Sequence, residues 1–180
     1  MGRTLVTGAT GFIGSHVARL LVKRGDEVLI TVRPEASLEQ LAGADVRTVR
    51  ADILDRRAVR RAMQGVDRVF HVAGTTDLRA DRARILSIAV EGTRIVLEEA
   101  LRAGVRRAVY TSSAVAFGPA RPGRSADEGT KWGAGRYSIP YLDAVHEAEM
   151  VALRTVSRGL PLVIVNPTLV LGADTRACRC

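Results

Sequence analysis

Short apolar runs alternate along the chain with longer segments in which apolar residues recur every three or four positions. The short runs are typical of buried strands, and the longer segments are typical of helices with one buried face. The pattern predicts strands at Arg3–Thr7, Glu27–Val32, Val46–Arg50, Arg68–Ala73, Arg107–Ser112 and Leu162–Asn166. It predicts the main helices at Phe12–Arg24, Asp55–Met63, Ala83–Ala103 and Tyr141–Arg158.

Regular alternation of strands and helices favours an α/β fold, with a parallel sheet covered by helices on both faces. Right-handed crossovers give the doubly wound strand order 3-2-1-4-5-6. Ligands of such sheets bind outside the carboxyl ends of the strands, where the order reverses. We therefore predict one such domain over residues 1–172 and an unpatterned tail over residues 173–180.

Three glycines at three-residue spacing, Gly8, Gly11 and Gly14, stand between the first strand and the first helix. Glycine suits this place because one position makes a tight turn, one lets the backbone approach a pyrophosphate, and one lets the helix pack on the strand. The first amides of that helix lack intrahelical partners and can donate to phosphate oxygens. The spacing predicts a dinucleotide-binding loop, and a purely structural turn is the alternative.

Two polar residues follow the second and third strands at the same predicted edge. Arg33 stands where an acid would bind the ribose 2′-hydroxyl of NAD, and an arginine there can hold a 2′-phosphate instead. This favours NADP, although nearby Glu35 leaves NAD open and a surface arginine is the alternative. Asp52 is a candidate acceptor for the adenine amine, or else a cap for the helix that begins near Asp55.

Hydroxyl groups mark the ends of the later elements. Ser113 follows the fifth strand, so its hydroxyl can face the crevice and hydrogen bond to a substrate oxygen; a polar strand end is the alternative. Tyr141 begins the last helix and could point its phenol into the same crevice, or be an ordinary half-buried tyrosine. His71, inside the fourth strand, is interpreted as a packed or hydrogen-bonded residue rather than a catalyst.

Composition narrows the classes of partner. The net charge is +8, but the arginines are scattered and only 4% of residues are aromatic, which argues against a nucleic-acid partner. Cys178 and Cys180 fall short of the four ligands of a structural zinc site, so no metal is predicted. No signal peptide and no apolar run of about eighteen residues is visible, so we expect a cytoplasmic protein without a membrane partner.

Seven short motifs occur in order along the chain: TGATGFIG, ADILD, FHVAG, VEGT, YTSSAVAFG, PY and VNPTLVLG. Together they resemble the extended short-chain dehydrogenase/reductase family, in particular its NAD-dependent epimerase/dehydratase branch and dihydroflavonol-reductase-like members. The resemblance implies a Rossmann fold and hydride transfer between NADP and a secondary alcohol or ketone, on a sugar nucleotide or a flavonoid-like ketone. The cofactor-binding positions it implies are Gly8, Thr10, Gly11, Phe12, Ile13, Gly14, Arg33, Asp52, Ile53, Val72, Ala73, Gly74, Tyr141 and Pro167.

The family also implies a serine–tyrosine–lysine site, and here the sequence departs from it. Ser113 would orient the substrate oxygen and Tyr141 would act as acid and base, but the lysine position one helical turn later holds Val145. His146 is rotated by about 100° around the helix, and the asparagine expected before the VEGT motif is Ala89. Two or three lost units of phenol pKa tuning cost roughly 3–4 kcal/mol, or 10²–10³ in rate.

We therefore expect impaired catalysis, and two alternatives stay open: a non-catalytic NAD(P) sensor or regulatory protein, and a truncated fragment without function. Family members continue beyond the sixth strand into a substrate domain, which this sequence largely lacks, so the substrate is not identified. Apolar surface left exposed would favour self-association. The helices at Ala83–Ala103 and Tyr141–Arg158 could also form the contact of a homodimer.

Overall fold

A six-stranded parallel sheet forms the centre of the molecule, as seen in a computed structural model that describes residues 2–75, 80–120 and 122–172. Its strand order, β3-β2-β1-β4-β5-β6, confirms the predicted doubly wound topology. Every neighbouring pair is parallel. The strands are β1 Arg3–Thr7, β2 Glu27–Val32, β3 Val46–Arg50, β4 Arg68–His71, β5 Arg107–Thr111 and β6 Leu162–Val165.

Helices cover both faces of the sheet because successive strand residues point to opposite sides. Leu5 belongs to the core cluster on the α2, α4 and α5 face, and Val6 belongs to the cluster on the α1 face. The predicted tail over residues 173–180 lies outside the described residues. The helices are α1 Phe12–Lys23, α2 Arg56–Ala62, α3 Arg82–Leu86, α4 Gly92–Ala103 and α5 Pro140–Ser157.

The predicted helix over Ala83–Ala103 is wrong in its middle. A π-helical segment at Ser87–Glu91 separates α3 from α4. It carries Ile88 to the ligand cleft described below. At Gly92 an added Cβ would lie 2.5 Å from Ile53 Cδ1, so a side chain there would require the Ile53 side chain to move. A π segment inserts one residue without altering the apolar pattern enough to be seen in sequence, and such segments are frequent at functional sites.

Strand β6 forms one edge of the sheet and leaves apolar side chains exposed. Val163 and Val165 on β6 are 44% and 40% exposed, and Leu169 and Leu171 beyond it are 82% and 74% exposed. The homodimer contact remains a prediction. Among the described residues, no helix is both long and apolar enough to cross a membrane.

Candidate functional site

A cleft of about 430 Å³ opens at the carboxyl ends of β1 to β4. It includes the point between β1 and β4 where the strand order reverses, as the doubly wound topology requires. The residues proposed from sequence that line it are Gly8, Thr10, Gly11, Arg33, Asp52, Ile53, Val72, Ala73 and Gly74.

Seven further residues line the cleft and were missed by sequence reasoning. Thr31 and Ala51 flank Arg33 and Asp52, so the strand-end rule could have found them. Arg84 and Ile88 come from the helix around the π-helical segment, which no sequence pattern marks. The full set missed is Thr31, Ala51, Leu54, Thr75, Ala80, Arg84 and Ile88.

The loop between β1 and α1 shows what each glycine does. Gly8 adopts φ +73°, and a Cβ there would lie 2.5 Å from the backbone nitrogen of Ala73. A Cβ on Gly14 would lie 2.1 Å from the carbonyl oxygen of Gly8, so helix and turn are in direct backbone contact. Gly11 is exposed on the cleft, and its amide donates to Gly8 O at 3.0 Å. Gly8 and Gly14 therefore allow close backbone contacts within the loop, and Gly11 leaves the loop surface at the cleft free of side-chain atoms.

The amino end of α1 is suited to an anion. Gly11 caps the helix without a side-chain hydrogen bond, and the first turn holds no acidic residue. The first amides of a helix carry partial positive charge and donate hydrogen bonds to phosphate oxygens. A diphosphate fits this loop because Gly11 is an exposed residue of the cleft lining, and a Cβ there would meet a single protein atom, Gly8 O at 3.3 Å.

Arg33 and Asp52 stand on the β2–β3 side of the cleft. Arg33 Nε pairs with Glu35 Oε1 at 3.2 Å, and both side chains are more than half exposed. Asp52 Oδ1 accepts from the backbone N–H of Leu54 at 2.8 Å. The carboxylate of Asp55, not of Asp52, caps α2, so the alternative role considered for Asp52 is wrong. Asp52 stays available to the cleft because Asp55 already supplies the acceptor that the helix needs.

Ser113 and Tyr141 are brought together at the end of β5 and the start of α5. Burial raises the pKa of the Tyr141 phenol, and the nearby Ser113 hydroxyl opposes that rise. Ser113 Oγ also lies 3.5 Å from Pro167 O and from the backbone nitrogen of Val115. The pair sits beyond β4, beside the main cleft rather than among its lining residues.

No cation on α5 stabilises the Tyr141 phenolate among the described contacts. Val145, one turn further on, is buried at 8% exposure. His146 Nδ1 lies 3.0 Å from Ala116 O, and its ring stacks on Trp132 with centroids 4.3 Å apart. These contacts hold His146 against the loop that follows β5, so it does not replace the lysine.

The remaining predicted positions lie outside the cleft lining. Phe12 makes an edge-on ring contact with His16 and also lies against Gly172, where an added Cβ would be 3.0 Å from Phe12 Cζ. Pro167 accepts the N–H of Ala114 at 3.0 Å. Ile13 and Gly14 belong to the first turn of α1. Their contribution to a ligand site would come from their backbone amide groups.

Because His71 is buried, we expect the free energy of unfolding to fall measurably in mild acid. Complete burial lowers its pKa from 6.5 to about 3, so the folded protein keeps it neutral where the unfolded chain binds a proton. Stability is therefore unaffected above pH 6.5 and falls below it, by about 1.4 kcal/mol per pH unit. Urea unfolding should show roughly 2 kcal/mol less stability at pH 5 than at pH 7. The dependence of the unfolding free energy on pH in this range should vanish in His71→Gln. An equal dependence in both proteins would contradict the assignment of this effect to His71.

Known proteins resemble this chain over nearly its whole length. A family model described as the NAD dependent epimerase/dehydratase family matches residues 4–179. Sterol demethylase protein B of Methylococcus capsulatus is 39% identical over 94% of this chain and 52% of its own length. Cinnamoyl-CoA reductase 1 of Oryza sativa subsp. japonica is 40% identical over 93% of this chain and 53% of its own. The crystal structure of gox2253 has a TM-score of 0.85 at 37% identity, over 93% of this chain and 51% of that one. The chain thus spans about half the length of the curated relatives it matches.

Proposed function

Since the chain belongs to the NAD-dependent epimerase/dehydratase family, we propose that its cleft binds a nicotinamide dinucleotide, NADP in preference to NAD. The observation that carries the proposal is the loop between β1 and α1. Backbone atoms occupy the space of a Cβ at Gly8 and Gly14, whereas Gly11 presents bare backbone to the cleft. The uncapped amides of α1 begin at that point and would hold the diphosphate.

The sheet order supports a placement of the two halves of the dinucleotide. With the diphosphate at the end of β1, the adenosine half lies toward β2 and β3, where Arg33 would meet a 2′-phosphate and Asp52 an adenine amine. The nicotinamide half lies toward β4 and β5, beside Ser113 and Tyr141. The further positions that we assign to the cofactor are Thr10, Phe12, Ile13, Ile53, Val72, Ala73, Gly74 and Pro167.

We propose a secondary alcohol or a ketone as the substrate. The bound nicotinamide supplies the hydride acceptor or donor. Tyr141 takes or gives the proton at the substrate oxygen, and Ser113, close to the phenol, orients that oxygen. Because burial raises the pKa of Tyr141 and Val145 brings no ammonium group, the proton step is slow in this protein.

Thermal melting and calorimetric titration of the full chain with NADP⁺, NADPH and NAD⁺ test the proposed function. We expect NADP⁺ and NADPH to raise the melting temperature, since a ligand that binds only the folded state stabilises it. If none of the three nucleotides protects the chain, the proposed function is wrong.

A second function, dinucleotide sensing without turnover, is favoured by the substitution at Val145 alone. A sensor would bind NADP⁺ yet consume none with any alcohol or ketone offered. Incubation of the NADPH-bound chain with a dihydroflavonol, and of the NADP⁺-bound chain with a nucleotide-sugar, distinguishes the two functions. Loss of NADPH absorbance with the ketone, or its appearance with the alcohol, excludes the sensor.

Removing the Arg33 side chain should weaken NADP⁺ more than NAD⁺. A hydrogen bond to a charged group contributes about 1.5–3 kcal/mol, so Arg33→Ala should lower NADP⁺ affinity roughly tenfold to a hundredfold. NAD⁺ carries no 2′-phosphate and should lose little. Calorimetric titration measures both constants.

Arg50 provides a matched control because it is an exposed arginine at the end of β3 that does not line the cleft. Arg50→Ala should leave both affinities unchanged. Equal losses for the two nucleotides in Arg33→Ala would remove the assignment of Arg33 to the 2′-phosphate.

A further inference from the structure

A single side chain joins the segment after β5 to helix α5. The Asn166 side-chain nitrogen, Nδ2, donates to Ser113 O at 3.2 Å and to Glu149 Oε2 at 2.5 Å. Asn166 directly follows β6, and Glu149 lies in α5. We call these three residues and their two hydrogen bonds the Asn166 bridge. It connects the ends of two neighbouring strands to the helix that carries Tyr141.

The partners of the Asn166 amide fix which of its atoms faces them. A backbone carbonyl oxygen such as Ser113 O can only accept hydrogen bonds, so the Asn166 atom beside it is the nitrogen. That nitrogen carries two hydrogens and gives one to each partner. Both donors of the Asn166 side chain are therefore used within the protein, and the bridge has one orientation.

Glu149 is a buried acid that pairs with an amide. It is 6% exposed, and the hydrogen bond at its carboxyl group comes from Asn166. Glu99, the other buried acid among the described residues, instead pairs with three arginines. A buried carboxyl group costs free energy unless its oxygens are hydrogen bonded, so the position of Glu149 depends on the Asn166 amide.

The Asn166 bridge belongs to a set of contacts around Ser113. The Ser112 N–H donates to Val165 O at 2.9 Å, and the Ala114 N–H donates to Pro167 O at 3.0 Å. These two bonds extend the β5–β6 pairing beyond the strand ends, on either side of Ser113. The Ser113 hydroxyl lies 3.5 Å from Pro167 O, which is longer than an ordinary hydrogen bond. The position of that hydroxyl therefore depends on the backbone, which the bridge holds at Ser113 O.

Glu149 and Tyr141 belong to one element. Helix α5 is continuous between them, and Glu149 follows Tyr141 by about two helical turns. A shift of Glu149 relative to Ser113 would therefore move Tyr141 as well. His146, between them, contacts Ala116 O at 3.0 Å. The helix thus meets the segment after β5 at two points, and the Asn166 bridge is the more deeply buried of the two.

We propose that Glu149 and Asn166 are positioning residues, which hold the Ser113 backbone against α5 and thereby set the spacing between Ser113 and Tyr141. They act through the Ser113 backbone and through the helix, and neither needs to touch a ligand. The effect on ligand binding rests on the proposed function, whereas the bridge belongs to the free protein.

Two substitutions of Glu149 test the positioning role. Methionine keeps the length of the side chain without an acceptor oxygen, whereas glutamine keeps an acceptor for the Asn166 amide. We expect Glu149→Met to lower NADP⁺ affinity about tenfold, the equivalent of one hydrogen bond. The affinity for 2′,5′-ADP, which contains only the adenosine half, should stay unchanged. Glu149→Gln should keep both affinities.

Three results would overturn the positioning role. Equal losses for the two ligands in Glu149→Met would indicate a general structural defect. Equal losses of NADP⁺ affinity in Glu149→Met and Glu149→Gln would show that the acceptor oxygen is not what matters, and unchanged affinity in both would show that the bridge has no effect. If Glu149→Met does not fold, the double variant Glu149→Met/Asn166→Leu takes its place with the same expected affinities, because it leaves neither partner unpaired.

Thr155→Val is the matched control. Thr155 is also buried in α5, at 2% exposure, but its hydroxyl donates to Val151 O within the same helix. This variant should keep both affinities. A loss of NADP⁺ affinity as large as that in Glu149→Met would show that any buried polar group of α5 has the same effect, and would overturn the special role of the bridge.

Nuclear magnetic resonance of the ligand-free chain separates this proposal from the proposed function. In the wild type, both hydrogens of Asn166 Nδ2 should exchange slowly with water and show nuclear Overhauser contacts to Glu149. Glu149→Met should shift the signals of Ser113 and Tyr141 more than Thr155→Val does. Fast exchange in the wild type, or unshifted signals in Glu149→Met, would overturn the bridge. If the wild-type chain binds neither nucleotide, the proposed function fails and this measurement alone decides the bridge.

Discussion

Gly11→Val is expected to abolish NADP⁺ binding while the free protein remains folded. Gly11 is exposed on the cleft, and a Cβ there would meet only Gly8 O, at 3.3 Å, which a small shift relieves. A valine side chain would occupy the approach to the first amides of α1. Loss of two hydrogen bonds to a charged phosphate, each worth about 1.5–3 kcal/mol, weakens binding a hundredfold or more. Calorimetric titration measures the loss of NADP⁺ binding, and thermal melting of the free and the NADP⁺-loaded chain shows whether the protein remains folded.

Two other glycines serve as controls for this prediction. Gly14→Ala puts a Cβ 2.1 Å from Gly8 O, and backbone cannot yield there, so the fold should lose roughly 3 kcal/mol or more. Gly104 ends α4 with φ +67° and has open space around its Cβ position, so Gly104→Ala should cost about 1–2 kcal/mol and leave binding intact. Continued protection of Gly11→Val by NADP⁺ would contradict the dinucleotide loop itself.

Local sequence was enough to predict the sheet because every strand except β3 contains a short apolar run, and β3, Val46–Arg50, follows a loop and carries two valines. The prediction of strand ends was less accurate. Strand β4 ends at His71 rather than Ala73, because the Ala73 amide donates to the Thr7 side chain instead of continuing the ladder. That exchange depends on where β1 lies beside β4, which no local pattern encodes.

The candidate site also has features that local sequence predicts and features that depend on the pairing of distant segments. Gly8, Gly11 and Gly14 were predictable because their spacing follows from backbone geometry within one turn. The stacking of the His71 and Tyr110 rings was not predictable, since both residues stand in otherwise apolar runs and meet only when β4 and β5 pair. The role of Ile88 in the cleft depends on one inserted helical residue, whose effect on the apolar period is too small to detect.

Val145→Lys is expected to raise the rate of any ketone reduction or alcohol oxidation by 10²–10³. The new ammonium would lie one turn from Tyr141 on the same face of α5 and would lower the phenol pKa, against the rise caused by burial. Two or three pKa units correspond to roughly 3–4 kcal/mol in the proton step. Initial rates of NADPH oxidation with a dihydroflavonol, and of NADP⁺ reduction with the corresponding alcohol, measure the gain.

Val145→Met separates charge from bulk, because methionine supplies a long side chain without an ammonium group. It should leave the rate and the pKa of the Tyr141 phenol unchanged, so a gain in rate shared by both variants would reflect packing.

Ultraviolet titration gives a readout that needs no substrate. The Tyr141 phenol, identified by the loss of its signal in Tyr141→Phe, should ionise two to three pH units lower in Val145→Lys than in the wild type. Lowering the pKa favours the phenolate that accepts a proton during alcohol oxidation, so the oxidation rate should reach its plateau at correspondingly lower pH. An unshifted phenol together with an unchanged rate would mean that residue 145 does not face Tyr141 as a lysine position must, and the assignment of Tyr141 as acid and base would fail with it.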